Sequence, residues 1–271
     1  MEYQEYPPSP ALKPYIDCFW TNTGPLPDPQ QPFRCIPNGS LDIVISTSTV
    51  PTWIQRGANW EQMPSAFVTG IWTEPAVMKW EYLTWFGIRL KPEIFVHLFQ
   101  QPMREMENVT LDVHAVLGKA VDELTNQMAE APDHAHRITI AEAFVTRELA
   151  KRQPQEAYFT EAMRLIRKYC GQVSIGELSK QVFVGERQLQ RAFREYFGAS
   201  PKTYGRIARF NYANQLVMTN PKTSWIDVSY TCGYADQAHF IRDCRALAGE
   251  APTALFGNIK SKMRNDYALQ Y

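Results

Sequence analysis

With 271 residues, 28 basic and 28 acidic side chains and 45% hydrophobic residues, the chain has the make-up of an ordinary globular protein, and its net charge of zero says nothing about partners. Divided, it says more: residues 1–155 carry 12 basic and 18 acidic side chains, a net −6, while residues 156–271 carry 16 and 10, a net +6. One part built to meet a polyanion and one that is not would give that split.

In chain order, the opening MEYQEYPPSP has neither a cationic start nor an apolar core, so it does not read as a signal peptide. No run of about 18 apolar residues exists to span a membrane. The five cysteines (18, 35, 170, 232 and 244) form no CxxC pair, which argues against a disulfide framework and fits a reducing cytoplasm. The sequons at Asn38 and Asn108 then count as chance matches. Residues 1–32 hold much of the proline and read as an extended lead-in. From Phe33 to Leu90, SLDIVISTST, TWIQ, SAFVTGIW, AVMKWEYL and WFGIRL read as strands, and a small antiparallel sandwich or barrel closes them.

A pocket inside that β domain would draw on Trp53, Trp60, Trp72, Trp80, Trp85 and Phe86, with Arg34 and Arg89 as cations inside strand-like runs. Arg34, Trp53, Trp72, Trp85 and Arg89 are the ligand-binding candidates; the plainer reading makes the aromatics core. Asp42, inside LDIVI, reads as a structural hydrogen-bond acceptor. Residues 92–100 predict a short helix, and 111–131 and 136–152 a helical pair. His134 and His136 form an HxH in a polar loop, and no histidine lies in 33–90, so no metal is expected. The absence of GxSxG, P-loop and HExxH patterns leaves hydrolase and nucleotide-binding readings without support, and no cofactor is expected. RQPQEA (152–157) reads as a linker, dividing a β domain with helices at 1–152 from a helical domain at 158–257.

The helical part contains an echo. IGELSKQVFVGERQLQRAFREYFGASP (175–201) aligns with IDVSYTCGYADQAHFIRDCRALAGEAP (226–252), matching Arg191 to Arg242, Arg194 to Arg245, Gly198 to Gly249 and Pro201 to Pro252. Each copy reads as helix, tight turn, helix. In the first, Ser174 and Glu177 have capping-box spacing, and Leu189, Ala192, Phe193 and Phe197 form the buried stripe. Such a pair places its second helix in the major groove, where Arg forks onto guanine and Gln onto adenine. Base contacts are therefore expected from Arg187, Gln190 and Arg191, then from Gln237, His239 and Arg242. Phosphate contacts are expected from Arg194, Lys202, Arg209 and Arg245. Arg206 fits an interdomain or core-edge position equally. KTYGRIARFNYANQLVM (202–218) would form a helix of ~25 Å, enough with its flanking turns to set two readers about one DNA turn apart.

The second copy resembles the signature of AraC/XylS-type transcriptional regulators: Gly233, Tyr234, Asp236, Phe240, Arg242, Arg245, Gly249 and Pro252, with GRIARFNYA similar to the family's linker helix. The departures are Cys244 where the family usually has Phe, and Asp243, a negative charge expected beside Arg242. YPPSPALKPYIDCFW, IPNGSLDIVI, VTGIW and FGIRLKPEIF resemble a regulatory domain that precedes some such DNA-binding domains. The resemblance implies an α+β chain in two domains: a cupin-like β domain plus helices, then an all-α tandem helix-turn-helix. It also implies a cytoplasmic regulator and no enzyme. Its partners would be double-stranded operator DNA, a small-molecule effector, a second copy in a homodimer, and RNA polymerase. The rival is the same reader fused to a DNA-repair methyltransferase, but Cys18 and Cys35 are too few for a four-thiolate zinc site.

Overall fold

The computed structural model describes residues 1–94, 103–151 and 157–257. It is α+β in two domains, an antiparallel β sandwich with helices followed by an all-helical part. Residues 1–32 are not a lead-in: they supply β1 (Glu2–Tyr6) and β2 (Ile16–Pro25). Their prolines fall almost wholly between and after the two strands, where a missing N–H costs no ladder bond. The remaining strands are β3 (Phe33–Cys35), β4 (Leu41–Ser46), β5 (Thr52–Arg56), β6 (Asn59–Gln62), β7 (Ala66–Thr69), β8 (Ala76–Trp80), β9 (Tyr82–Leu90) and β10 (Thr110–Asp112). AVMKWEYL is therefore two strands, broken at Glu81, and the halves join different sheets.

One sheet runs β1-β2-β9-β4-β7-β10 and the other β3-β8-β5-β6, with every pairing antiparallel. Alternation assigns the two faces of the larger sheet. Cys18 and Trp20, Val44, Phe67, and Leu83 and Trp85 pack between the sheets. Phe19, Ile43 and Ile45, Val68, and Phe86, Ile88 and Leu90 form the other face and pack against helices. Gly87 lets the inner layer close: a Cβ there would sit 1.9 Å from the Trp20 ring.

Three helices follow the sheet: α1 (Val113–Leu117), α2 (Ala120–Glu130) and α3 (His134–Leu149). The helix expected over 111–131 is interrupted at Gly118, whose φ is +60°, and its first residues are edge strand β10. Most of the helix expected at 92–100, and the linker apart from Ala157, lie outside the described residues. The helical part comprises α4 (Ala157–Lys168), α5 (Ile175–Gln181), α6 (Glu186–Tyr196), α7 (Pro201–Thr219), α8 (Trp225–Thr231), α9 (Gln237–Ala248) and α10 (Pro252–Phe256). No helix among the described residues is long and apolar enough to cross a membrane.

The core on the helix side of the sheet is continuous with the core of the helical part. Polar pins accompany it. Arg167 at the end of α4 donates to both carboxylate oxygens of buried Glu93 at 2.6 and 2.9 Å, and to the Tyr204 hydroxyl at 3.2 Å. Burial opposes the Arg167 charge, but Tyr204 and Glu93 outweigh it and hold the guanidinium above its ordinary pKa. Asn211 of α7 donates to the Asn38 carbonyl at 2.7 Å, and Arg34 of β3 reaches Glu250 at 2.8 Å.

Candidate DNA interface and the cavity between the sheets

Each helix-turn-helix is assembled by local signals. Ser174 accepts from the Glu177 N–H while Glu177 reaches back to the Ser174 N–H, a complete capping box opening α5. Ser224 opens α8 in the same way on its acceptor side, and Asp236 opens α9 by accepting from the His239 N–H. The turn of the first copy passes through Phe183 at φ +56°, that of the second through Gly233 at φ +72°. Gly249 ends α9 in the left-handed region, as a C-terminal glycine does.

Leu189, Ala192, Phe193 and Phe197 are buried, so α6 is seated by the stripe its spacing predicts. Burial of each of the three larger side chains is worth roughly 2 kcal/mol. Phe193 stands edge-on to Phe159 at 5.1 Å, locking α6 to α4. The opposite face carries Arg187, Gln190, Arg191 and Arg194, all exposed. Lys202, at the start of α7, is exposed as well. On α9, Arg242 and Arg245 are exposed, whereas Gln237 and His239 are half-buried. His239 lies edge-on to Tyr234 at 5.2 Å and its ring nitrogen faces the Ala235 N–H at 3.5 Å.

Three charged residues sit differently from expectation. Asp243 does not stand beside Arg242 in solvent: it is buried and accepts two bonds from Arg206 of α7, at 2.8 and 3.0 Å. Arg206 is thus a core-edge residue joining α7 to α9. Arg209, expected on a phosphate, donates to the Gly171 carbonyl at 2.9 Å and lies 5.3 Å from the centre of the Tyr234 ring, so its guanidinium is engaged inside the fold. Arg34, expected at the ligand pocket, points to Glu250 just beyond α9. Cys244, at the position where Phe is usual, is fully buried, and burial pushes its thiol pKa up.

A cavity of about 120 Å³ lies between the sheets. Trp72, Trp85 and Arg89 line it as expected; Trp53 and Arg34 do not. Trp53 pairs with Lys79 and Gln62 within the smaller sheet, with its side chain half-exposed. Trp20 and Asn22, not singled out in the sequence, line the cavity too. The alternation Cys18, Trp20, Asn22 would have found them, had the proline-rich stretch been read as strand. At the floor, Asp42 accepts from the Trp20 indole at 3.0 Å, Arg89 at 3.2 Å and Ser40 at 3.1 Å, the structural role its setting predicts. His134 and His136 have separate partners: the first lies tilted against Tyr6, with ring centres 5.9 Å apart, and the second bonds Asp133.

Residues 178–258 match a family described as a helix-turn-helix domain, and residues 4–112 match one described as a domain of unknown function (DUF6597). The HTH-type transcriptional regulator ArgR of Pseudomonas aeruginosa is 34% identical over 76 residues, 28% of this chain and 23% of that protein. The probable transcriptional regulator LumQ of Photobacterium leiognathi is 31% identical over 81 residues, 30% of this chain and 32% of that protein. The chain thus spans about a quarter to a third of the length of these curated relatives. Among solved structures, ToxT of Vibrio cholerae superposes with a TM-score of 0.49 and 11% identity, over 88% of this chain and 98% of that one. Two helix-turn-helix units at one register, with the α7 spacer between them, agree with the family match: residues 178–258 are a helix-turn-helix domain, carried behind a domain whose family has no assigned function.

Proposed function

We propose that the protein is a sequence-specific DNA-binding transcription regulator whose β domain holds a small-molecule effector. One observation carries the reading: α6 is seated by a wholly apolar stripe and presents Arg187, Gln190, Arg191 and Arg194 together on its exposed face. Such a face suits base edges in the major groove. Helix α7, 19 residues long, measures roughly 28 Å at 1.5 Å per residue. With its flanking turns it can set α6 and α9 about one DNA turn apart, roughly 34 Å, so that one chain reads successive grooves.

Within this reading Arg187, Gln190 and Arg191 contact bases, and Arg242, Gln237 and His239 do so on the second site. Arg194, Lys202 and Arg245 hold phosphates, positioning the chain without reading sequence. Residues 1–152 form the sensing and dimerisation unit and 158–257 the reader; a homodimer on operator DNA in the cytoplasm, in contact with RNA polymerase, completes the proposal. A methyl-accepting cysteine finds no support. Burial pushes the Cys18 and Cys35 thiols up to about 12 and about 11, and the thiolate is the nucleophile.

The test is fluorescence anisotropy with a duplex selected from a random library, at several salt concentrations. Affinity should fall steeply with salt. Arg191→Ala should weaken the selected duplex by ~1–3 kcal/mol and relax preference at one position, whereas Lys202→Ala should weaken all duplexes alike. If Arg191→Ala leaves both affinity and preference unchanged, α6 is not a reader.

A further inference from the structure

The cavity between the sheets carries enough chemistry to name a guest. Its walls are aromatic: Phe67 stands edge-on to Trp85 at 5.2 Å, Phe33 lies 5.4 Å from Trp80, and Trp80 lies 6.3 Å from Trp85. Two of the side chains lining it hold a buried polar atom without a hydrogen-bond partner, the indole Nε1–H of Trp80 and the amide Oδ1 of Asn22. Buried donors and acceptors are almost always satisfied, and an exception asks for a partner. Here one donor and one acceptor lie on the same cavity, and Trp80 is 6% exposed. A guest with a single group that both accepts and donates would satisfy the two at once.

Charge narrows the class. Arg89 is the one cation among the lining residues, and it already meets Asp42 at 3.2 Å and Glu5 at 3.1 Å. An anionic guest would be buried beside the Asp42 carboxylate with no unpaired cation to meet it. A cationic guest would compete with Arg89, Trp20 and Ser40 for Asp42. Size narrows it further: an apolar cavity of ~150 Å³ accepts one benzene, and this one measures about 120 Å³. Ring faces and edges in the wall favour a flat, apolar body.

We infer that this cavity binds an uncharged single-ring aromatic molecule bearing one hydroxyl or carboxamide, which accepts from Trp80 Nε1–H and donates to Asn22 Oδ1. The inference rests on the reading of the β domain as a sensor and specifies what it senses.

Isothermal titration of the full chain with phenol, benzamide, benzoate and cyclohexanol tests it, with sodium oleate as a long-chain anion. Phenol or benzamide should bind, and benzoate and cyclohexanol at least tenfold more weakly. Trp80→Phe should weaken phenol about tenfold, with circular dichroism showing the fold retained. Should that variant not fold, Asn22→Leu removes the acceptor instead and should have the same effect. Benzoate binding as tightly as phenol, or phenol affinity unmoved by both variants, overturns the inference. Binding of oleate with no binding of phenol or benzamide also overturns it, while leaving the sensor reading standing. If none of the five probes binds and a broad metabolite library leaves the melting temperature unmoved, the sensor reading falls with it.

Discussion

The two helix-turn-helix copies share a register but are not built alike. The first turns through Phe183 in the left-handed region with its ring 93% exposed; the second turns through Gly233, for which that region costs nothing extra. On α6 the expected contact residues Arg187, Gln190, Arg191 and Arg194 are all exposed, whereas on α9 Gln237 and His239 are half-buried and Asp243 is drawn inward by Arg206. A shared motif therefore fixes where a reading helix lies but not how many donors it offers. The second helix of the first copy is held by its apolar stripe. That of the second copy has a stripe too, in Phe240, Cys244 and Leu247, and adds an ion pair to the helix that separates the copies.

The largest effect should come from removing that brace. Arg206→Ala leaves the buried Asp243 carboxylate without its guanidinium, and breaking such a pair costs about 3–5 kcal/mol. Urea denaturation should show the loss, and a change below about 1 kcal/mol would mean that α9 is seated by packing alone. A smaller effect separates the turns. Phe183→Gly should stabilise by roughly 0.5–1 kcal/mol, since it relieves a left-handed strain of about 1–2 kcal/mol against the entropy glycine loses on folding. Gly233→Ala should destabilise by at least about 1 kcal/mol, because the new Cβ would lie 2.8 Å from the Gln172 side chain. Opposite signs for the pair in thermal melts would sharpen the contrast, and the same sign for both would break it. Least should follow from Arg34→Ala, which removes an ion pair whose arginine is 48% exposed. That surface bridge should be worth about 0–1 kcal/mol in the same melts.

The helical readers were legible because their signals are local. A cap, a stripe at helical spacing and a terminal glycine sit within a few residues of one another, and all of them recur in the fold. Facing was not legible where a distant partner decides it. Asp243 and Arg242 are neighbours in the sequence, yet only the position of Arg206 on α7 determines that one turns inward. Arg209 likewise lies on a helix spaced for DNA, but the Gly171 carbonyl and the Tyr234 ring come from other segments. In the β domain the proline count of residues 1–32 hid the alternation of Cys18, Trp20 and Asn22, and with it part of the cavity wall. Arg34 and Trp53 were drawn toward that cavity by residue type alone, where strand parity and the pairing of β3 with β8 and β5 with β8 place them elsewhere.

The short loop from Ile36 to Ser40 has two employers. Ile36, Pro37, Asn38 and Ser40 line the cavity, Ser40 donates to both Asn38 and Asp42, and the Asn38 carbonyl is held by Asn211 on α7. A change here that alters what the cavity admits also alters what α7 grips. Under the proposed function, what the cavity admits and how the two helix-turn-helix units are held therefore cannot drift independently at this loop, and a lineage that changes one inherits a change in the other.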